Sequence, residues 1–257
     1  MTPTIVANWK MQLGVAASVD SATKLRSTLE RDPVGATVVV CPSFLAIPYV
    51  LDTLRGSDIQ LGAQDVFWTD KGAYTGEVSP TNLREVGVEY VIIGHSERRK
   101  LGESDTNVGR KTLAAAAYGL NPIICLGETA DERATGQHEN VVRRQLEGMF
   151  LSAPPPSQGM VIHLAYEPMW AIGTGEAADP ETAESIRQCI HRSLIDRYPA
   201  DLVERSFRIL YGGSVDPSNV ADYVGPDKFD GALVGGASLD PATLVPLIRA
   251  CSSTNTK

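Results

Sequence analysis

Short apolar runs recur along the chain, each about the length of a strand, with longer segments of helical spacing between them. The runs are Ile5–Ala7, Val38–Cys41, Ile59–Ala63, Tyr90–Ile93, Ile123–Leu126, Met160–Ala165, Ile209–Tyr211 and Ala232–Val234. Several are rich in β-branched residues, which suit a pleated, buried strand. In the intervening segments Ile186, Ile190 and Leu194 recur every fourth residue and share one helix face. The same spacing argument covers Ala22, Leu25 and Leu29. A capping residue followed by proline marks helix starts at Ser79-Pro80, Asp179-Pro180, Asp216-Pro217 and Asp240-Pro241. Strands alternating with helices imply parallel pairing through right-handed crossovers. Eight such units in about 250 residues match an α/β fold with one closed (β/α)8 barrel, a single domain spanning 1–257. A doubly wound open sheet is the alternative, but no G-x-G-x-x-G follows the first strand.

Two stretches interrupt this rhythm. Ala153-Pro154-Pro155-Pro156-Ser157 falls between a helix and the sixth strand and reads as an exposed rigid loop rather than a linker. Gln64–Ser79 is a long polar loop that carries Phe67, Trp68 and Tyr74. Loops of that length are functional or disordered, and the aromatics favour ordering against something, a second subunit being one candidate.

Composition adds exclusions. Apolar residues make up 43% and charged residues 21%, an ordinary globular balance. The net charge of −8, from 31 acidic and 23 basic side chains, argues against a general nucleic-acid binder. It leaves room for an anionic small substrate held by local N–H groups and a single lysine. Cys41, Cys125, Cys189 and Cys251 lie far apart, without metal-ligand spacing. Cys41 and Cys125 fall in apolar runs, where buried free thiols are expected. No apolar run approaches membrane-spanning length, and the N-terminus lacks the pattern of a secretory signal. The expectation is a soluble, cytoplasmic protein with no membrane partner.

The ends of the runs carry the candidate chemistry. In a parallel barrel the C-terminal strand ends form the functional face. There stand Asn8-Trp9-Lys10, Gly94-His95-Ser96-Glu97, Glu167, Tyr211-Gly212-Gly213-Ser214 and Val234-Gly235-Gly236. Glu167 is followed at once by Pro168, which stops the strand, then by Trp170 and two glycines, Gly173 and Gly175. A carboxylate before a hinged loop reads as a base beneath a lid. The plainer alternative is a strand–loop–helix connection with a surface Glu. Glycine turns before helices present N–H groups to a phosphate. A base, an imidazole and a cation suit proton transfer beside a carbonyl.

These motifs, with Gly72 to Glu77, Cys125-Leu126-Gly127-Glu128 and Leu233 to Leu239, resemble triosephosphate isomerase over essentially the whole chain. The resemblance implies a TIM barrel that interconverts dihydroxyacetone phosphate and D-glyceraldehyde 3-phosphate through an enediolate. It makes Glu167 the base. Neutral His95 donates to the reacting oxygen, with the help of Asn8 and Lys10. It assigns the phosphate to Gly173, Ser214, Gly235 and Gly236, and support of the site to Ser96 and to Glu97, the latter pairing with Lys10. It implies a homodimer whose Thr75 loop reaches the neighbouring subunit, and it calls for no metal and no cofactor. A sister isomerase for a four-carbon ketose phosphate is the near alternative. A barrel kept only as an inactive scaffold is a further alternative, against which Lys10, His95 and Glu167 are all present. Departures from the family pattern are few: Ala7 for Gly, Gln12 for a smaller Asn, Asp65 for Asn and Met169 for Val.

Overall fold

The computed structural model describes residues 2–150, 155–157, 159–171 and 177–253. Strands β1 (Thr4–Asn8), β2 (Thr37–Cys41), β3 (Gln60–Ala63), β4 (Tyr90–Ile93), β5 (Asn121–Leu126), β6 (Ile162–Tyr166), β7 (Phe207–Tyr211) and β8 (Gly231–Val234) form one closed parallel barrel in sequence order. β1 pairs with both β2 and β8, which closes the ring and leaves no exposed sheet edge. Each strand is a stretch of apolar residues because both of its faces are covered, one by the barrel interior and one by helices.

Alternation along the strands divides the core in two. Val6, Val39, Ile92, Ile123, Ala165, Leu210 and Leu233 form an inner cluster. Their strand neighbours Ile5, Val38, Val91, Ile124, Leu164 and Ala232 belong to the larger core shared with the helices. The helix faces expected from spacing are the buried ones. Ile186, Ile190 and Leu194 of helix Pro180–Ile195 are buried, as are Ala22 and Leu25 of helix Val15–Arg31, while Leu29 packs at the edge. Truncating one such residue to Ala costs about 2–5 kcal/mol, through lost transfer energy and the cavity left behind.

Three of the four expected helix starts are present, at Pro80, Pro180 and Pro241. Ser79 and Asp179 cap theirs by accepting the N–H of Asn82 and Thr182. Asp216-Pro217 departs from the expectation. Asp216 Oδ1 accepts the N–H groups of Ser218 and Asn219, so its carboxylate closes a turn, and the helix runs only from Val220 to Tyr223. In the expected rigid loop, Pro155, Pro156 and Ser157 are irregular; Ala153 and Pro154 lie outside the described residues.

The long loop after β3 orders largely against its own chain. Phe67 is buried, with its ring centroid 4.0 Å from Trp68 and 4.6 Å from Tyr74. The Arg110 guanidinium covers Trp68 at 4.3 Å. The tip, 71–77, stays exposed and carries Tyr74 and Thr75. All four cysteines are free and buried. No described helix is long and apolar enough to cross a membrane.

Candidate active site

The same alternation that buries Val6 and Ala165 inside the barrel places Asn8 and Glu167, two residues on, at the top of the same wall. The mouth they share is a cavity of about 360 Å³, which also takes in Lys10, His95, Ser214, Gly235 and Gly236. Seven of the residues expected to act on substrate therefore converge. Ser96 and Glu97 stand directly behind them, and Thr75 is exposed on its loop tip. Gly173, with Ile172, Thr174 and Gly175 of the expected lid, lies outside the described residues.

Glu167 is almost wholly buried, and both its oxygens are occupied. Oε2 accepts the Ser96 N–H at 2.8 Å, and Oε1 lies 3.0 Å from His95 Nε2. His95 caps the helix Ser96–Lys100, and its Nδ1 accepts the Glu97 N–H at 3.2 Å. A nitrogen that accepts an N–H carries no proton itself, so the imidazole proton sits on Nε2 and points into the mouth. The neighbouring Cys125 stays a thiol. Burial first, and the carboxylate second, push that thiol well above its usual range.

Lys10 is held in an unusual backbone state, φ 50°, which a non-glycine residue adopts only with strain of about 1–3 kcal/mol. Its N–H donates to Asn8 Oδ1 at 3.0 Å, and its ammonium lies 2.8 Å from Glu97 Oε1. Burial pushes Glu97 upward, but the hydrogen bond and charge of Lys10 outweigh it and hold the carboxyl below its usual range. Trp9, fully buried, donates from its indole to Ser238 O at 3.1 Å and so ties the end of β1 to the turn after β8. The first turn of that short helix, Gly236–Ser238, leaves N–H groups of Gly236 and Ala237 without partners inside the helix.

The glycine turns are required by space. A Cβ on Gly212 would lie 2.9 Å from Glu167 Cγ, and one on Gly235 would lie 3.1 Å from Lys10 Cε.

Four contributors were given no role from the sequence. Gln64 donates to Lys10 O at 2.8 Å and to Cys41 O at 2.9 Å. Glu128 is fully buried and receives the indole N–H of Trp170 at 2.8 Å and the Tyr166 hydroxyl at 3.1 Å. Arg133 lies over the Trp170 ring at 4.4 Å. Tyr211 accepts the Ala178 N–H at 3.1 Å. Glu128 and Tyr211 thus fix the two described ends of the loop that follows Glu167. Their signal was available: each is a polar group at a strand end, where the mouth must lie.

A larger cavity, about 410 Å³, opens at the opposite end of the barrel beside Arg208, Lys228 and Phe229. Its lining also holds His191, Glu204, Asp230 and Gly225, but it lies at the N-terminal ends of the strands, away from the face where a parallel barrel gathers its chemistry, so the chemistry is assigned to the mouth.

Comparison with known proteins agrees with this geometry. The family model for triosephosphate isomerase matches residues 3–251. The chain is 46% identical over 249 residues to triosephosphate isomerase of Moorella thermoacetica, covering 96% of this chain and 98% of that protein. It is 44% identical to the enzyme of Pelobacter propionicus over 249 residues, with the same coverage of 96% and 98%. The figure for Roseiflexus castenholzii is 42%, covering 96% of this chain and 97% of that one. The chain belongs to the triosephosphate isomerase family.

Proposed function

We propose that the protein is an aldose–ketose isomerase that interconverts dihydroxyacetone phosphate and D-glyceraldehyde 3-phosphate, a step of glycolysis and gluconeogenesis, with the residues of the barrel mouth in the following roles. Glu167 removes a proton from the carbon beside the carbonyl and returns it to the neighbouring carbon. Negative charge gathers on the carbonyl oxygen as the enediolate forms. The Nε2–H of His95 donates to that oxygen, and Asn8 and the Lys10 ammonium stabilise it further. Substrate entry displaces the Ser96 and His95 hydrogen bonds that occupy Glu167, which frees the carboxylate for the substrate carbon. Ser214, Gly235 and Gly236, with Gly173, hold the phosphate through N–H groups. The observation that carries this reading is the convergence of carboxylate, Nε2–H, ammonium and glycine turns on one cavity of about 360 Å³.

Steady-state kinetics on three- and four-carbon ketose phosphates test it side by side. The expected result is isomerisation with higher kcat/KM for the three-carbon substrate. Faster turnover of the four-carbon substrate assigns the site to a sister isomerase, and no turnover of either leaves a barrel without this activity.

The same reading makes the protein a homodimer. Met11, Leu45 and Leu101 are 95%, 81% and 83% exposed, and Tyr74 on the tip of the loop after β3 is exposed as well. They follow β1, β2, β3 and β4, neighbouring strands, so they mark one flank of the mouth as an apolar face. Sedimentation should show a species of twice 27.6 kDa, and a fully active monomer contradicts the pairing. The four free, buried thiols suit a reducing cytoplasm.

A further inference from the structure

The left-handed backbone of Lys10 needs an explanation beyond its own hydrogen bonds. A strained residue persists only when its surroundings over-determine it. Two groups grip Lys10 from opposite ends. Gln64 donates to its carbonyl at 2.8 Å and spends the other amide hydrogen on Cys41 O at 2.9 Å. Glu97 holds its ammonium at 2.8 Å. The next residue after each grip is then paired to its counterpart. Asp65, which follows Gln64, lies 2.9 Å from Nε of Arg98, which follows Glu97. Lys111, buried on helix Asp105–Ala117, donates to both Asp65 oxygens at 2.7 and 3.0 Å. Lys111 also contacts Glu103, so the acids and bases balance within the cluster.

Building on the functional reading above, we propose that Gln64 and Asp65 are positioning residues: with Glu97 and Arg98 they form a cross-tied clamp that holds Lys10 in its left-handed conformation and aims its ammonium into the mouth. The geometry is specific to this purpose. Gln64 bridges the chain just past β1 to the end of β2, so it sets the carbonyl of Lys10 relative to the barrel wall. Asp65 then locks the backbone of Gln64 to the short helix that also carries Glu97. Movement of either grip is resisted by the other through the Asp65–Arg98 pair. Asn at position 64 is one methylene too short to reach both carbonyls. Asn at position 65 keeps the shape but discards the charge that Arg98 and Lys111 share.

A double-mutant cycle tests the clamp. Gln64→Asn should lower kcat/KM for triose phosphate by about tenfold, and Asp65→Asn by a smaller factor. In a Lys10→Met background the Gln64→Asn substitution should change kcat/KM by less than about twofold, because the group it positions is gone. An equal loss in both backgrounds, or no loss in the parent, overturns the proposal. Thermal unfolding checks that each variant is folded. Should the Lys10→Met background be too slow to assay, a crystal structure of Gln64→Asn decides. Lys10 should leave the positive-φ region, and retention of that conformation overturns the clamp. A parent protein inactive on triose phosphates would instead refute the functional reading itself, so the two failures are distinguishable.

Discussion

His95 and His163 are both buried in the same barrel, one at each end, and their surroundings are opposite in kind. His95 has both ring nitrogens engaged, Nδ1 by the Glu97 N–H and Nε2 by Glu167, and it faces a cavity. His163, on β6 near the base, has no hydrogen-bond partner for Nδ1 among the described residues. It packs 5.8 Å from the Tyr90 ring and stands in register with Arg208. Burial above all, with the charge of Arg208, pushes its pKa down from 6.5 to about 4, against a backbone hydrogen bond to Pro122. His95 is therefore partnered at both nitrogens and faces open space, while His163 is enclosed and left incompletely satisfied. The lesson is that burial alone does not mark function. A buried group becomes a candidate when its partners leave it pointing at something that can enter.

Substitutions at the two ends should therefore separate rate from stability. The largest effect belongs to Glu167→Asp. Retracting the carboxylate by one methylene should lower kcat by on the order of a hundredfold or more, read in a coupled assay, with the fold unchanged. Near-normal kcat removes Glu167 from the role of base. Gly212→Ala comes next. Its added carbon meets Glu167 Cγ at 2.9 Å and Tyr166 O at 3.0 Å, so the base must shift. A fall in kcat of about tenfold is expected, and unchanged kcat would show that the mouth tolerates more displacement than its packing implies. At the other end His163→Val should leave kcat within about twofold, the smallest catalytic effect of the three.

The effect of His163→Val is instead on acid stability. Below pH 6.5 the unfolded chain binds a proton at His163, whereas the folded one does not until about pH 4. Stability therefore falls as pH drops through that window, by about 3 kcal/mol in total. Thermal unfolding of the Val variant between pH 6.5 and 4 should show a flatter decline than the parent. Parallel curves would mean that His163 is protonated without penalty.

Much of this was legible in the residues. The strands were visible as apolar runs because parallel strands are covered on both faces. Their ends were read one or two residues short where polar side chains complete them, as at Thr4 and Asn8. Asp216-Pro217 was misread because a carboxylate that closes a turn and one that caps a helix accept the same backbone N–H groups. Glu167, His95 and Lys10 could be placed at one mouth because strand parity and strand ends specify it. Gln64 follows the same parity from Gly62 and went unread, since an amide among polar loop residues carries no mark of its partner. The left-handed state of Lys10 and the pairing of Asp65 with Arg98 depend on tertiary contacts between segments distant in sequence. No local pattern encodes them.

The central claim is that Glu167 removes a proton from the carbon beside the substrate carbonyl. Dihydroxyacetone phosphate incubated with enzyme in heavy water and followed by proton NMR tests it most directly, because exchange at the hydroxymethyl carbon reports proton removal whatever happens afterwards. The parent protein should place deuterium at that carbon and form glyceraldehyde 3-phosphate, and Glu167→Gln should do neither at a measurable rate. Exchange by Glu167→Gln at a rate close to that of the parent would mean that another group is the base.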